Sequence, residues 1–298
     1  MTAAAIGVAL LSAVLFAVGS VLQQRAASEV PDEESLGLGL VTRLVRRPVW
    51  LAGTAGDTLG YVAQAAALGL GSLALVQPLL ATSLLFALPL GAWWAHRRLS
   101  RSDGGWAVVL TVGLAVFLIA GEPTEGVDRA DVRSWLVASA FIVPATVACL
   151  VVAVRTRGGP RAVALAAATG ILYGVAAALT KSTVSLLDDG LVGVLTSWEP
   201  YVLVAAAALG TYVQQSSYQA GELSQALPAA AVLEPVVAVG LGIGILSEDI
   251  QASGAEWILI GAAVVAMIAA TARLARSQAA AEPAPAGSPD PAPAPDAA

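Results

Sequence analysis

The sequence predicts an all-α, polytopic membrane protein of about nine (nine to ten) transmembrane helices in two inverted-topology repeats. Three observations carry that prediction. The chain of 298 residues is 57% hydrophobic and 12% charged, with mean hydropathy +0.78. Its apolar stretches recur at about 20 residues, the length that crosses a hydrocarbon core of about 30 Å. The first and last parts of the chain also resemble each other, which is the mark of an internally repeated membrane fold. A soluble domain needs charge on roughly a quarter to a third of its surface, and this composition cannot supply it. The same composition excludes a nucleic-acid partner, since the net charge is −6 and no basic patch stands out.

Apolar segments run over 3–22, 49–70, 73–94, 106–120, 135–154, 162–179, 201–219, 223–246 and 256–272. The first lacks a basic lead and has a long apolar run, so it reads as a span and not as a cleaved signal peptide. Trp50, Trp93, Trp94, Trp106, Trp135, Trp198 and Trp257 fall near segment ends, as an aromatic belt does. Residues 35–48 form an amphipathic piece with Arg43, Arg46 and Arg47, and 184–198 is interrupted by Asp188 and Asp189. Both are expected as interfacial or re-entrant helices, and a further span arises only if one of them crosses. From residue 278 onward the chain is rich in Ala, Pro and Asp and is expected to be a disordered tail. The organisation expected is a first repeat over 1–134, a linking span over 135–157, a second repeat over 158–277 and a tail over 278–298.

Basic residues set the orientation. The loops after the first, third and fifth spans and the C-terminal end hold Arg25, Arg43, Arg46, Arg47, Arg97, Arg98, Arg101, Arg155, Arg157, Arg161, Arg273 and Arg276; the other side holds Arg129, Arg133 and Lys181. A multi-pass protein of the plasma membrane is expected, N-terminus outside and C-terminus cytoplasmic.

The repeat is legible residue by residue. Val14–Gly19 aligns with Ile171–Ala176, Gly71–Pro78 with Gly221–Pro228, Gly60 with Gly210, Gln64 with Gln214, and Trp106 with Trp257. Four spans thus match four others at a shift of five. An odd shift places the two sets in opposite orientations, the arrangement that supports alternating access.

Charges within spans are costly, roughly 2.5–3.5 kcal/mol each on insertion scales, and mark a protein interior. Asp57, Tyr61 and Gln64 share one helical face. Thr211, Gln215, Tyr218 and Glu222 form a matching stripe, with Gln214 beside it. These stripes either line a hydrated cavity or bond helices together. Glu234 sits mid-span before Pro235, where a freed carbonyl and a carboxylate can hold a cation or carry a proton. Lys181 is expected either to pair with a carboxylate or to snorkel to the interface. Pro78, Pro89, Pro228 and Pro235 are expected to kink their spans. Cys149 and His96, each the sole residue of its type, cannot form a disulfide or a Cys/His zinc site; no cofactor is expected.

At these residues the chain resembles the drug/metabolite transporter (DMT, EamA-like) superfamily, through Tyr173-Gly174 up to Thr180-Lys181 and a small-residue segment entering a proline helix. Ser72-Leu73-Ala74-Leu75-Val76-Gln77-Pro78-Leu79 with Ala81 and Ser83 is similar to the NIPA-like magnesium-transporter branch. The resemblance covers about residues 3–273. It implies two inverted repeats, secondary transport and Mg²⁺ or another divalent cation as substrate, with Asp57 and Glu234 holding the hydrated ion. The alternative is a small organic metabolite or drug moved with protons, Asp57 or Glu234 carrying the proton. The partners expected are the lipid bilayer and a small ion or molecule. H-E-x-x-H, G-x-S-x-G and GxGD signatures are lacking, so an enzyme is not expected; a non-transporting membrane scaffold is the remaining reading.

Overall fold

The computed structural model describes residues 3–28, 47–94, 100–220 and 223–280. The amphipathic piece over 35–46, His96 with its neighbouring arginines, Glu222 and the tail from 281 lie outside them.

The chain folds as helices: α1 (Ala3–Ser28), α2 (Pro48–Leu70), α3 (Leu73–Leu80), α4 (Ser83–Trp94), α5 (Arg101–Gly121), α6 (Val132–Arg155), α7 (Gly159–Ser185), α8 (Gly190–Thr196), α9 (Glu199–Ala220), α10 (Leu223–Ile245) and α11 (Glu256–Ala280). Two dipeptides, β1 (Pro123–Thr124) and β2 (Asp249–Ile250), pair antiparallel, Pro123 opposite Ile250 and Thr124 opposite Asp249.

Starts and stops follow local chemistry. Ser72 caps α3 by accepting from the Leu75 N–H, and Asp131 caps α6 by accepting from the Ser134 N–H at 3.0 Å. Glu256 reaches back to the Ser253 N–H at 2.8 Å, which closes the first turn of α11 as in a capping box. Proline opens α2, α7 and α9, where a missing N–H costs nothing.

Among the described residues, seven helical stretches are long and apolar enough to cross a membrane: Ala3–Gln23, Leu73–Trp94, Arg101–Gly121, Val132–Arg155, Gly159–Thr196, Ala226–Ile245 and Glu256–Ser277. The molecule is therefore an all-α polytopic membrane protein. Two other expected spans, α2 and α9, form full-length helices of 23 and 22 residues but are not among the seven. The stretch over 184–198 becomes a single 3₁₀ turn, Leu186–Asp189, followed by α8. With seven residues, α8 is about 10 Å long, a third of the hydrocarbon thickness.

α2 lies antiparallel along the whole of α1. Ala5 meets Gly71, the Ser12 hydroxyl donates to the Gly60 carbonyl at 2.8 Å, Gly19 meets Gly56 and Asp57, and Gln23 meets Gly53. α9 lies antiparallel along α7, with Ser217 donating to the Ala162 carbonyl at 2.8 Å. The same steric device serves both pairs. The Phe16 ring rests on Gly60, where a methyl group would come within 2.8 Å of it, and the Tyr173 ring rests on Gly210, at 2.7 Å. These are the positions that the sequence alignment equates. α10 runs parallel to α7, Gly170 against Leu233 and Gly174 against Val237, while α5 and α11 pack antiparallel through Gly113 and Met267.

The expected prolines behave differently. The span over 73–94 breaks, though not at Pro78 itself: the Thr82 and Leu85 N–H groups bond three residues back, to Leu79 and Thr82, and the helix interrupts at 81–82. α10 carries Pro228 and Pro235 within one unbroken element.

The core is unevenly distributed. One apolar cluster joins α1, α2, α3, α5, α7, α10 and α11 through Ala5, Leu68, Leu73, Leu114, Leu179, Leu241 and Ile260. Towards the other end it continues along α5 and α11 through Leu110, Ala270 and Leu274, and separate clusters stand beside it. Ala17, Val21 and Ala87 form a cluster of α1 with α4, and Ala162, Ala166 and Ala226 a separate one of α7 with α10. The bundle is thus sealed at the end bearing Gly71 and Leu246, and split at the end bearing Arg25 and Arg155.

Candidate functional site

Where the bundle splits, the polar faces of the helices meet. α1, α2 and α4 enclose a cleft of about 250 Å³ lined by Phe16, Ala17, Ser20, Asp57, Tyr61, Ser83 and Ala87. Helical periodicity places Asp57 and Tyr61 one turn apart on the same wall. The Asp57 carboxylate lies over Gly19, and its Oδ2 accepts from Gln23 Nε2 at 2.6 Å. No lysine or arginine among the described residues forms an ion pair with it. Phe16 and Tyr61 stand edge to face with ring centres 4.9 Å apart. Tyr61 is 60% exposed although it lies inside the bundle, so the cleft opens beside it.

Residues of other helices come near Tyr61. Tyr61 is within electrostatic reach of Glu234, Tyr173, Tyr218 and Asp57, and Glu234 also reaches Tyr173. Glu234 is surrounded by protein yet keeps accessible surface, as a group lining an internal space does. Tyr173 donates to Gln214 Oε1 at 3.1 Å and meets the Thr211 hydroxyl at 3.1 Å.

The structure therefore brings Asp57, Tyr61, Tyr218 and Glu234 to one region, with Thr211 joined to it through Tyr173. Gln64 is buried one turn further along α2. In the second stripe the residue bonded to Tyr173 is Gln214, while Gln215 beside it is exposed. Gln214 is the alignment partner of Gln64, so the repeat itself carried the signal. Asp57 and Glu234, expected to share an ion, are not joined by any contact: Asp57 lines the cleft, and Glu234 is not among its lining residues. No group of three or more His, Cys, Asp or Glu able to hold a metal occurs among the described residues.

At the sealed end Lys181 is 2% exposed and does not snorkel. Its Nζ donates to the Gly71 carbonyl at 2.8 Å, and lies 3.7 Å from Glu248 Oε1 and 4.0 Å from Asp128 Oδ1. The Glu248 carboxylate also accepts from the Leu73 and Ala74 N–H groups at 2.7 and 3.0 Å. It thereby sits on the N-terminus of α3, where orphan donors and the helix dipole favour an anion. Burial pushes the Glu248 carboxyl above its ordinary range, against the pull of the two backbone donors and Lys181. This latch joins the α2–α3 turn, the end of α7 and the segment after α10. In the sequence Glu248 is one acidic residue between two apolar segments, beside Asp249, and its role depends on long-range packing.

A second ion pair, of buried Glu199 with exposed Arg129, lies nearby. Arg129 Nη2 donates to Glu199 Oε1 at 2.8 Å, and Trp135 stacks edge to face on Trp198 with ring centres 5.7 Å apart. Trp135 is 7% exposed and so faces protein, not the membrane interface expected of it.

No family model matches the chain, and no solved structure matches it. It is 36% identical over 281 residues to an uncharacterized protein of Corynebacterium glutamicum, Cgl0250/cg0304, covering 90% of this chain and 93% of that one. Identity of that extent along nearly all of both chains means that the protein belongs to the Cgl0250/cg0304 family.

Proposed function

We propose that the protein is a secondary transporter that moves a small cation by alternating access. One observation carries the reading: the apolar core separates into distinct clusters at one end of the bundle, and there a cleft is lined by Asp57 and Tyr61, with Glu234 within electrostatic reach of Tyr61. A carboxylate at that depth is costly unless a cation visits it. The resemblance to drug/metabolite transporters supports the same reading.

In this reading the chain has nine spans. α2 runs beside α1 from Gly71 to Gly53, and α9 beside α7, so each crosses whatever its neighbour crosses. With the arginine-bearing end cytoplasmic, the N-terminus is outside the plasma membrane, the C-terminus is inside, and the described conformation faces inward. Mg²⁺ enters through the resemblance to the NIPA-like branch. Its octahedral shell of six oxygens is not offered by Asp57 and Glu234 alone, so the lining of the cleft, and not the resemblance, decides which class of cation is carried.

Proteoliposomes test the reading. Cation flux driven by an imposed gradient is expected, and Asp57→Asn with Glu234→Gln should abolish it. Flux that survives both substitutions removes these residues from the pathway. In a Cys149→Ala background, single cysteines at Arg101 and Glu125 should label from opposite faces; labelling from one face breaks the topology.

A further inference from the structure

We propose that the cleft between α1, α2 and α4 binds a small monovalent organic ammonium ion, with Asp57 as its counter-charge and Phe16 and Tyr61 as its aromatic wall. The inference rests on the transporter reading and adds the class of ligand.

The lining decides between cations. It offers one carboxylate, one phenol and the hydroxyls of Ser20 and Ser83. One oxygen of that carboxylate is already occupied, since Oδ2 accepts from Gln23. A metal ion of charge two needs more oxygens and more negative charge than this. An alkylammonium needs neither. Its charge is met by the single carboxylate, and its C–H surface by the faces and edges of rings, which attract cations through their quadrupoles. Phe16 has no oxygen to give a metal, but it has a π face. Its ring is held by contact with Gly60 and with Tyr61, so the wall is preorganised. Gln23 fixes the carboxylate on one side and leaves Oδ1 over Gly19, where no side chain competes for it. The hydroxyls across the cleft can accept N–H or O–H groups of the ligand. Size sets the upper bound. About 250 Å³ lies below the roughly 300–1,000 Å³ of pockets that hold drug-sized molecules. A monovalent ligand also neutralises Asp57 one for one, which lets the cleft close without a net buried charge.

The test is binding to the full chain in lipid nanodiscs, read by calorimetry. The probes are choline, tetramethylammonium and ethylammonium, with 3,3-dimethylbutan-1-ol, the neutral carbon analogue of choline, as control. At least one ammonium should bind, and choline should bind at least about tenfold more tightly than its neutral analogue. Asp57→Asn should weaken ammonium binding at least about tenfold, and Phe16→Leu about threefold, with melting temperatures checked to show that both variants fold. Mg²⁺ at millimolar concentration should not compete. The proposal is overturned if no ammonium binds, if the neutral analogue binds equally well, if Asp57→Asn leaves binding unchanged, or if Mg²⁺ displaces the bound probe. Binding without flux in proteoliposomes overturns the transporter reading and leaves the ligand class standing; Mg²⁺ flux without ammonium binding does the reverse.

Discussion

Replacing Lys181 by methionine removes a charge from the sealed end while keeping much of the apolar stem. The ammonium now donates to the Gly71 carbonyl at 2.8 Å and faces Glu248 at 3.7 Å. Losing a charge-assisted hydrogen bond costs about 1.5–3 kcal/mol. At 3.7 Å and an effective dielectric constant of about 20, the gross attraction to Glu248 is about 4 kcal/mol. These terms overlap, because the carboxylate left behind still has the Leu73 and Ala74 N–H groups. The net expectation is the value for stranding one member of a buried pair, about 3–5 kcal/mol. By soluble-protein scaling that is a fall in Tm of roughly 10 °C. The deficit should depend on pH. Glu248 already sits above its ordinary 4.5 in the folded chain, and without Lys181 it climbs further. A raised folded-state value means that stability is fully present below 4.5 and is lost as pH rises through that value. The Lys181→Met deficit should therefore shrink on acidification from neutrality, and Glu248→Gln in the same chain should recover part of it at pH 7. The assay is tryptophan-monitored thermal unfolding in detergent across pH for the single and double variants. Additive losses, or a deficit independent of pH, would refute the buried-pair argument.

Three further outcomes are expected. Gly60→Ala puts a methyl within 2.8 Å of the Phe16 ring and should destabilise by about 1–3 kcal/mol; adding Phe16→Leu should recover part of that in the same unfolding assay. Arg129→Ala removes the partner of Glu199, which is 2% exposed while Arg129 is 40% exposed, and should cost about 1–3 kcal/mol, whereas the pair Arg129→Ala with Glu199→Gln should cost less. The Ser134 hydrogen bonds hold the Asp131 carboxyl below its ordinary 3.8. The cap is thus intact above 3.8 and is lost as pH falls through the folded value, so hydrogen exchange at the start of α6 should rise on acidification, and Asp131→Asn should flatten that response.

Local chemistry made much of this architecture legible. Hydropathy located each long helix among the described residues, seven of them apolar enough along their length to cross a membrane. The repeat paired Phe16 with Tyr173 and Gly60 with Gly210, and the contacts follow the same correspondence. Asp57, Tyr61 and Glu234 stood out because carboxylates and phenols within spans are rare. What stayed hidden depended on side-chain rotation and on distant chain. Spacing alone did not distinguish Gln214 from Gln215, since both border the same stripe. Gln23 lies just past the apolar run of the first span, and only the close approach of α2 at Gly53 sets it beside Asp57. Glu248 and Leu73 are 175 residues apart, and no local pattern announces a carboxylate that caps so remote a helix. The break at 81–82 was expected at Pro78, but it falls where successive bonds tighten to i−3.

The paired dipeptides β1 and β2 look minor, yet they extend the contact between α5 and α11 beyond the helices. Val127 N–H also donates to the Leu246 carbonyl at 2.6 Å, which adds a third backbone link. Salt contacts such as that of Lys181 exchange readily with water once wetted, but a ribbon continuous with a glycine-packed helix pair does not slide. If that end is to open, the molecule must swing about the α5–α11 seam as a door swings on its jamb, and the widest gap then falls on the side farthest from it.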